Sequence, residues 1–281
     1  MNKLPILVSY EYWTKQIARV ISENRDSLWV LLDSGAFTAY TKGKEVDLSE
    51  YHKFLKENEH LIDEYIQLDV IGNPERTVEN LELSRAEGFN PIPVFTRGMK
   101  MDYLDKLKGD RFCIGGMMNQ DKMGVLNTLL NYLPNPNQVH CLGVDQLKIY
   151  THRNPPFSTD ASNWVSGLRF GSVPLLTQNG ATVRFTREIA MNPRHKDYRR
   201  CRQILRSMGF MIEEFRTKSE WVNTVGTLLQ KVSAVAGFKR VQWVHRNFGK
   251  KMFLVLSGGY DYVLTELILD SDDFKKWQVK K

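Results

Sequence analysis

The sequence predicts an α/β fold, a compact (β/α)8 TIM-like barrel, and three observations carry that expectation. Apolar, β-branched runs of strand length recur eight times between residues 5 and 173. Segments with apolar residues at i, i+3 and i+4 lie between them, as amphipathic helices require. The strand-like runs are apolar throughout rather than alternating, which is the pattern of parallel strands buried on both faces. An open doubly wound sheet is the competing architecture, but no G-x-G-x-x-G follows the first strand.

Taken in order, strands are expected at PILVSY (5–10), LWVLLD (28–33), YIQLDV (65–70), PIPVF (91–95), RFCIGG (111–116), QVHCLGV (138–144), FSTDAS (157–162) and LRFGSV (168–173). Helices are expected in LSEYHKFLKENEHLI from Leu48, TVENLELSRAEG from Thr77 and MGVLNTLLNYL from Met123. Asn73-Pro74-Glu75 opens the second of these and Gly88 closes it, the usual punctuation of a helix. Residues 1–180 therefore read as the core of the barrel. Beyond Gly180 the pattern changes to longer helices, RRCRQILRSMGF (199–210) and EWVNTVGTLLQKVSAVAG (220–237), followed by strands RVQWV (240–244) and MFLVLS (252–257). Residues 181–281 read as completion of the barrel plus a basic, mixed C-terminal region.

The chain has 281 residues, 42% hydrophobic and 25% charged, the composition of an ordinary globular protein. No window approaches the ~18 apolar residues of a membrane span, and MNKLPILVSYEYWTK lacks the long apolar core of a signal peptide. A cytoplasmic location is expected. Cys113, Cys141 and Cys201 are odd in number and far apart, so buried reduced thiols are expected rather than a disulfide framework or a zinc knuckle. The formal net charge of +7 is unevenly spread: residues 184–218 hold ten Lys and Arg against four Asp and Glu, and residues 236–251 hold five basic residues and no acid. Two such blocks suggest a polyanionic partner. Arg199, Arg200, Arg202, Lys239, Arg240 and Arg246 are the candidate phosphate contacts, and Trp243, His245 and Arg246 interleave aromatic and basic side chains as nucleic-acid surfaces do. A solvated basic helix face is the alternative.

Three expected strands end in or near a carboxylate: Asp33, Asp69 and Asp160. In a barrel of this type the site is built at the C-terminal ends of the strands, so the three acids should converge there. Gly115-Gly116 and Gly143 end two further strands, where a missing side chain would let a flat ligand approach the backbone. A carboxylate that attacks an anomeric carbon, with a second that manages the leaving group's proton, suits glycosyl transfer. A third can complement the N1 and N2 donors of guanine. A Mg²⁺ site built from the same acids is equally compatible with the spacing.

At this point the motifs resemble a known family. DSGAF resembles the Asp-Ser-Gly-Gly-Phe signature of the tRNA-guanine transglycosylases, IGGMMN their Ile-Gly-Gly-Leu loop and HCLGV their Leu-Met-Gly-Val strand, in the same order over residues 28–170. DSGAF combined with DASNW is similar to the phage and bacterial DNA-modifying branch (DpdA type), which inserts 7-deazaguanines into DNA. The resemblance implies Asp160 as the nucleophile on C1′, Asp33 as general acid/base and Asp69 as the group that reads the base's Watson–Crick edge. It further implies Ser34 as a positioning residue, Gly115 and Gly116 as amide donors, and Leu142 as pocket wall. No cofactor or metal ion is implied. The partners it implies are single- or double-stranded DNA and a free 7-deazaguanine such as preQ0.

Two departures bear on the substrate. Arg97, in FTRG, stands where the family carries a base-contacting Gln. The clustered Cys and His of the family's zinc subdomain are missing, which favours DNA over tRNA and leaves both a monomer and a different dimer open. Base removal by hydrolysis, tRNA modification and a non-catalytic nucleic-acid-binding role are the alternative readings. Phe37 and Trp164 are candidates to stack on an extruded base, and His152 and Arg153 to meet a phosphate, each against an ordinary packing or loop role.

Overall fold

In a computed structural model the described residues are 1–96, 98–107, 111–116, 122–133, 135–165, 170–217, 221, 227–258 and 261–279. The chain forms two compact units: Lys3–Asp160 with Lys250–Ser257, and Ala161–Gly249 with Gly258–Lys281 and the first two residues. The chain thus leaves the first unit at Asp160 and returns to it at Lys250, instead of dividing once near residue 180.

The first unit is built on an eight-stranded sheet of parallel strands: β1 (Leu4–Ser9), β2 (Leu28–Asp33), β3 (Glu64–Tyr65), β4 (Val94–Phe95), β5 (Phe112–Ile114), β6 (Val139–Cys141), β7 (Ser158–Ala161) and, far along the chain, Lys251–Leu256. The order is β3-β2-β1-(251–256)-β7-β6-β5-β4. All six residues of β1 are buried, as its uniformly apolar sequence predicts. Helices α1 (Lys15–Glu23), α2 (Ala36–Thr41), α3 (Leu48–Asn58), α4 (Pro74–Ala86), α5 (Met101–Lys106) and α6 (Lys122–Tyr132) run between the strands. Their starts are chemically marked. Thr14, Asp47 and Asn73 each accept a backbone N–H from the first turn of α1, α3 and α4, and Pro74 occupies the first turn of α4 where its missing N–H costs nothing.

The sheet is curled and (β/α)8-like, but no full ladder joins its two ends. β3 and β4 are two residues long, and between them runs one isolated parallel bridge, Ile66 to Ile92. The Gln67 amide N–H donates to Ile92 O at 3.0 Å, and the Gln67 side chain takes a ladder partner's place, accepting from Val94 N at 3.1 Å and donating to Thr77 O at 2.9 Å. A buried side-chain amide thus satisfies backbone groups that short strands leave unpaired.

The expected strand at 168–173 is corrected over its described residues, 168 and 169 lying outside them. Ser172–Leu176 pairs antiparallel with Thr182–Thr186 in a separate hairpin, β8-β9 of the second unit, and Lys251–Leu256 (β10) takes the eighth place in the parallel sheet. Alternation explains the hairpin: along β9 exposed and buried residues alternate, so one face is solvated. The expected strand RVQWV is also corrected. It lies inside the 21-residue helix Leu228–Phe248, whose buried Leu229, Val232, Ala236, Val241 and Val244 fall at helical spacing.

That helix, called α9 after α7 (Arg187–Met191) and α8 (Tyr198–Ser207), packs with the hairpin around Val173, Leu175, Phe185 and Phe215. Helices α10 (Asp261–Leu269) and α11 (Asp272–Gln278) complete the second unit. Between β8 and β9, Gly180 sits at φ 84° with the Trp243 ring where its side chain would project. Gly180→Ala must therefore strain the backbone and displace a tryptophan. It is expected to lower stability by ~1–3 kcal/mol in chemical unfolding.

Candidate functional site

Period-two alternation builds the site. Leu7, Leu31, Cys113, Val94 and Val255 form an apolar layer on one face of the parallel sheet. Two residues further along their strands, on the same face, stand Ser9, Asp33, Gly115 and Thr96. The acid that ends β2 is therefore the next layer of the same stack, at the C-terminal end of the strands. The opposite end is closed differently: Glu64 accepts from Trp29 Nε1 at 3.1 Å and pairs with Arg111, while Lys251 lies over the Trp29 ring. Burial, and then the Arg111 charge, push the Lys251 ammonium down to about 8.

The segment after β2 folds as its sequence requires. Asp33 Oδ2 accepts the Gly35 amide at 3.0 Å, an Asx-type turn that starts α2. Gly35 has φ 76°, and a Cβ there would lie 2.9 Å from Glu11 Cγ. Ser34 is wholly buried, and its hydroxyl donates to Asp69 Oδ1 at 3.3 Å. The turn motif thus couples the first acid to the second. Asp160, on β7, accepts the Gly143 amide on Oδ1 at 2.6 Å, and His140 Nε2 lies 3.4 Å from the same oxygen. Asp69 and Asp160 are 9% and 6% exposed, so all but the edges of both carboxylates are out of water.

Charge ties the three acids into one group. The Asp33 carboxyl is raised by burial first and by Asp160 next, while the Gly35 amide, the Ser9 hydroxyl and His140 pull it down. Asp69 is pushed up to about 7, by burial first and by Asp33 next, against its hydrogen bond from Ser34. The structure therefore brings Asp33, Asp69, Asp160 and Ser34 together. Asp69 also lines a cavity of about 420 Å³ with Ala36, Tyr40, Leu68, Arg76 and Leu83; Asp33 and Asp160 do not line it. That volume is within the range of small-ligand pockets.

The glycines are placed differently from the expectation of an open floor. A Cβ on Gly115 would lie 3.1 Å from Leu142 Cδ1 and 3.2 Å from Val94 Cγ1, so the neighbouring side chains already occupy that space. Gly116 and Gly143 hold the left-handed turns after β5 and β6, at φ 68° and 63°. Leu142 is half-buried against the apolar layer. Arg97 lies outside the described residues. Among the described residues no group of three or more His, Cys, Asp or Glu is arranged to hold a metal ion.

Of the basic candidates, Arg199, Arg200 and Arg202 are exposed on α8, with Glu213 3.7 Å from Arg202, and Arg246 is exposed near the end of α9. Lys239 pairs with Asp273 at 2.7 Å. Arg240 is corrected: it is 2% exposed, on the core side of α9, with Nη1 3.5 Å from Thr182 Oγ1, and is not presented to a polyanion. Trp164 is 1% exposed, and the absence of a side chain at Gly237 makes room for its ring, which makes it a core residue. Trp243 packs edge-on to Phe248, and His245 edge-on to Trp277. Phe37 is 42% exposed. Arg153 donates to Asn131, and His152 contacts Asn154.

The residue that the sequence reading passed over is His140. Its signal was present: it is the one basic side chain inside the apolar run QVHCLGV. It is fully buried, with Nδ1 2.8 Å from Ser158 Oγ.

No protein-family model matches the chain, and no curated protein or solved structure matches it either. Among the described residues no helix is long and apolar enough to cross a membrane.

The raised carboxyls make stability pH-dependent. Asp69 is protonated in the folded chain up to about pH 7 but ionises near 3.8 when unfolded. Between those values the folded state holds the extra proton, so this contribution is complete below pH ~4 and is lost as pH rises through ~7. Asp69→Asn removes a group that resists ionisation and is expected to be more stable than the wild type at pH 8. The gap should shrink toward pH 5 when both are unfolded in urea.

Proposed function

We propose that the protein is a DNA guanine transglycosylase, exchanging guanine in DNA for a 7-deazaguanine base such as preQ0 through a covalent aspartyl-glycosyl intermediate on a curled (β/α)8-like sheet. The observation that carries this reading is the gathering of Asp33, Asp69 and Asp160 at the C-terminal ends of the parallel strands, with two of the three carboxyls raised by burial and by their neighbours. The ordered resemblance of DSGAF, IGGMMN, HCLGV and DASNW to the transglycosylase motifs supports it independently.

The chemistry follows from the partners of each acid. Asp160 has Oδ1 engaged by Gly143, and Oδ2 attacks C1′ of the nucleoside as the C1′–N9 bond to guanine breaks. Asp33, whose burial favours the protonated form, gives its proton to the departing guanine. The incoming base then loses its N9 proton to Asp33, N9 attacks C1′, and the C1′–Oδ2 bond breaks to restore Asp160. Asp69 in its ionised form accepts from the N1 and N2 donors of the base, and that paired charge offsets the burial that raises its pKa. Water entering in place of the base would turn the same steps into base removal, which makes a glycosylase the second reading.

The exposed arginines of α8 would meet backbone phosphates, positioning DNA without reading its sequence. The target base would be flipped out or taken from a single strand, at a cost of a few kcal/mol for a paired base.

The test is incorporation of radiolabelled guanine into DNA and, separately, into tRNA. Label is expected in DNA, none with Asp160→Ala, and a ~10²–10⁴-fold slower rate with Asp33→Asn. Label in tRNA alone would overturn the DNA reading, and normal exchange by Asp160→Ala would overturn the nucleophile assignment. Arg199→Ala with Arg200→Ala is expected to weaken DNA binding uniformly across sequences and to reduce the slope of log K against log salt by roughly two. Filter binding at several salt concentrations measures it.

A further inference from the structure

We propose that His140 is a positioning residue for Asp160. It holds the Oδ1 oxygen so that Oδ2 faces the sugar, and it steadies the carboxylate when the glycosyl ester breaks. The proposal rests on the transglycosylase reading above.

The geometry is specific to one oxygen. His140 is fully buried in the middle of β6, and its ring is fixed on both sides. Nδ1 lies 2.8 Å from the buried Ser158 hydroxyl, and the ring stands edge-on to Phe253 with centroids 5.5 Å apart. Nε2 is then aimed at Asp160 Oδ1, 3.4 Å away, without completing a hydrogen bond. The tautomer follows from repulsion. With the proton on Nδ1, the Nε2 lone pair would face a carboxylate oxygen inside a buried site. With the Ser158 hydroxyl donating to Nδ1, the proton sits on Nε2 and faces the oxygen favourably.

Oδ1 thus has two donors directed at it, the Gly143 amide at 2.6 Å and the His140 Nε2–H at 3.4 Å, while Oδ2 has no hydrogen bond among the described residues. When Oδ2 bonds to C1′, Oδ1 becomes the ester carbonyl oxygen. When the incoming base attacks C1′ and the C1′–Oδ2 bond breaks, the bonding pair returns to the carboxylate and negative charge is shared back onto Oδ1. Donors already aimed at that oxygen stabilise the charge as it develops. A lengthened contact that tightens on reaction fits such a role, since catalytic hydrogen bonds are often long before the substrate is bound. Among the described residues Asp33 also couples to this pair, since both Asp160 and His140 influence it.

Two polar substitutions separate this role from a structural one. His140→Asn keeps a side-chain amide near Ser158 but falls short of Asp160. His140→Gln carries its amide nitrogen out to the Nε2 position. Both are compared with the full-length wild type in guanine exchange into an oligodeoxynucleotide, with thermal melting of each variant as the control for folding. His140→Asn is expected to lose on the order of 10²-fold in kcat with an unchanged KM for guanine, and His140→Gln to regain most of that loss. Wild-type kcat in His140→Asn, or recovery by Asn and not by Gln, overturns the proposal, because the Ser158 side would then be the one that matters. Loss of melting stability together with equal loss of activity in both variants also overturns it, since the role would be packing. A wild type that incorporates no guanine at all fails at the transglycosylase reading itself and takes this proposal with it.

Discussion

Everything at the candidate site depends on keeping carboxylates out of water on the interior face of a parallel sheet. An isolated ionised acid in such a place is expensive, and the protein meets the cost by protonation and by donors. Asp33 is raised by burial and by Asp160, and Asp69 by burial and by Asp33, whereas Asp160 is supplied with a main-chain amide from the turn after β6. The same alternation that stacks Leu31 into the apolar layer places Asp33 directly above it, so the site cannot move without the core moving with it.

The two ends of the sheet show how strongly that constraint is managed. At the N-terminal ends of the strands, Glu64 is paired with Arg111 and bonded to Trp29, and Lys251 lies over the same tryptophan, so opposite charges sit next to one another. At the C-terminal ends the acids gather, and among the described residues none of the three is ion-paired to an Arg or Lys, Asp160 having His140 beside it instead. Opposed charges close an end; gathered like charges leave it able to exchange protons and to take a ligand whose own donors complete the pairing. That asymmetry is the pattern of (β/α) folds in which one face serves stability and the other chemistry.

The strands that carry the acids were the legible part of the sequence. LWVLLD was read to the residue, because a run with no polar interruption has only one way to be buried on both faces. The convergence of Asp33, Asp69 and Asp160 followed from placing strand ends on one side. What was not legible was non-local. MFLVLS sits about 90 residues beyond β7, and no local signal says that it, and not the nearer LRFGSV, takes the eighth place in the sheet. RVQWV carries β-branched and aromatic residues and looks like a strand, but Val241 and Val244 continue a helical stripe begun at Leu229. The same stripe buries Arg240, which composition alone had put on a surface with its basic neighbours. The burial of His140 was legible from the apolar run around it, but its place beside Asp160 was not, because that contact is made across two strands whose pairing the sequence does not state.

The order of the acids along one line of coupling separates their roles. Asp33 is coupled to both of the others, raised by Asp160 and in turn raising Asp69. A change of protonation at Asp33 is therefore felt at both neighbours, whereas Asp69 and Asp160 are each tied to Asp33 and to separate donors, Ser34 and Gly143. In the proposed transglycosylase a group coupled to both others would suit proton transfer, because each proton it gave or took would alter the field at Asp160 and at Asp69. If Asp33 gave a proton to a leaving base, as proposed, its new negative charge would raise Asp69 further and weaken its ionised form as the departing base is released. Return of the proton reverses the effect and restores the acceptor for the next base. In the proposed reaction, three acids coupled in this way would link bond breaking to base exchange.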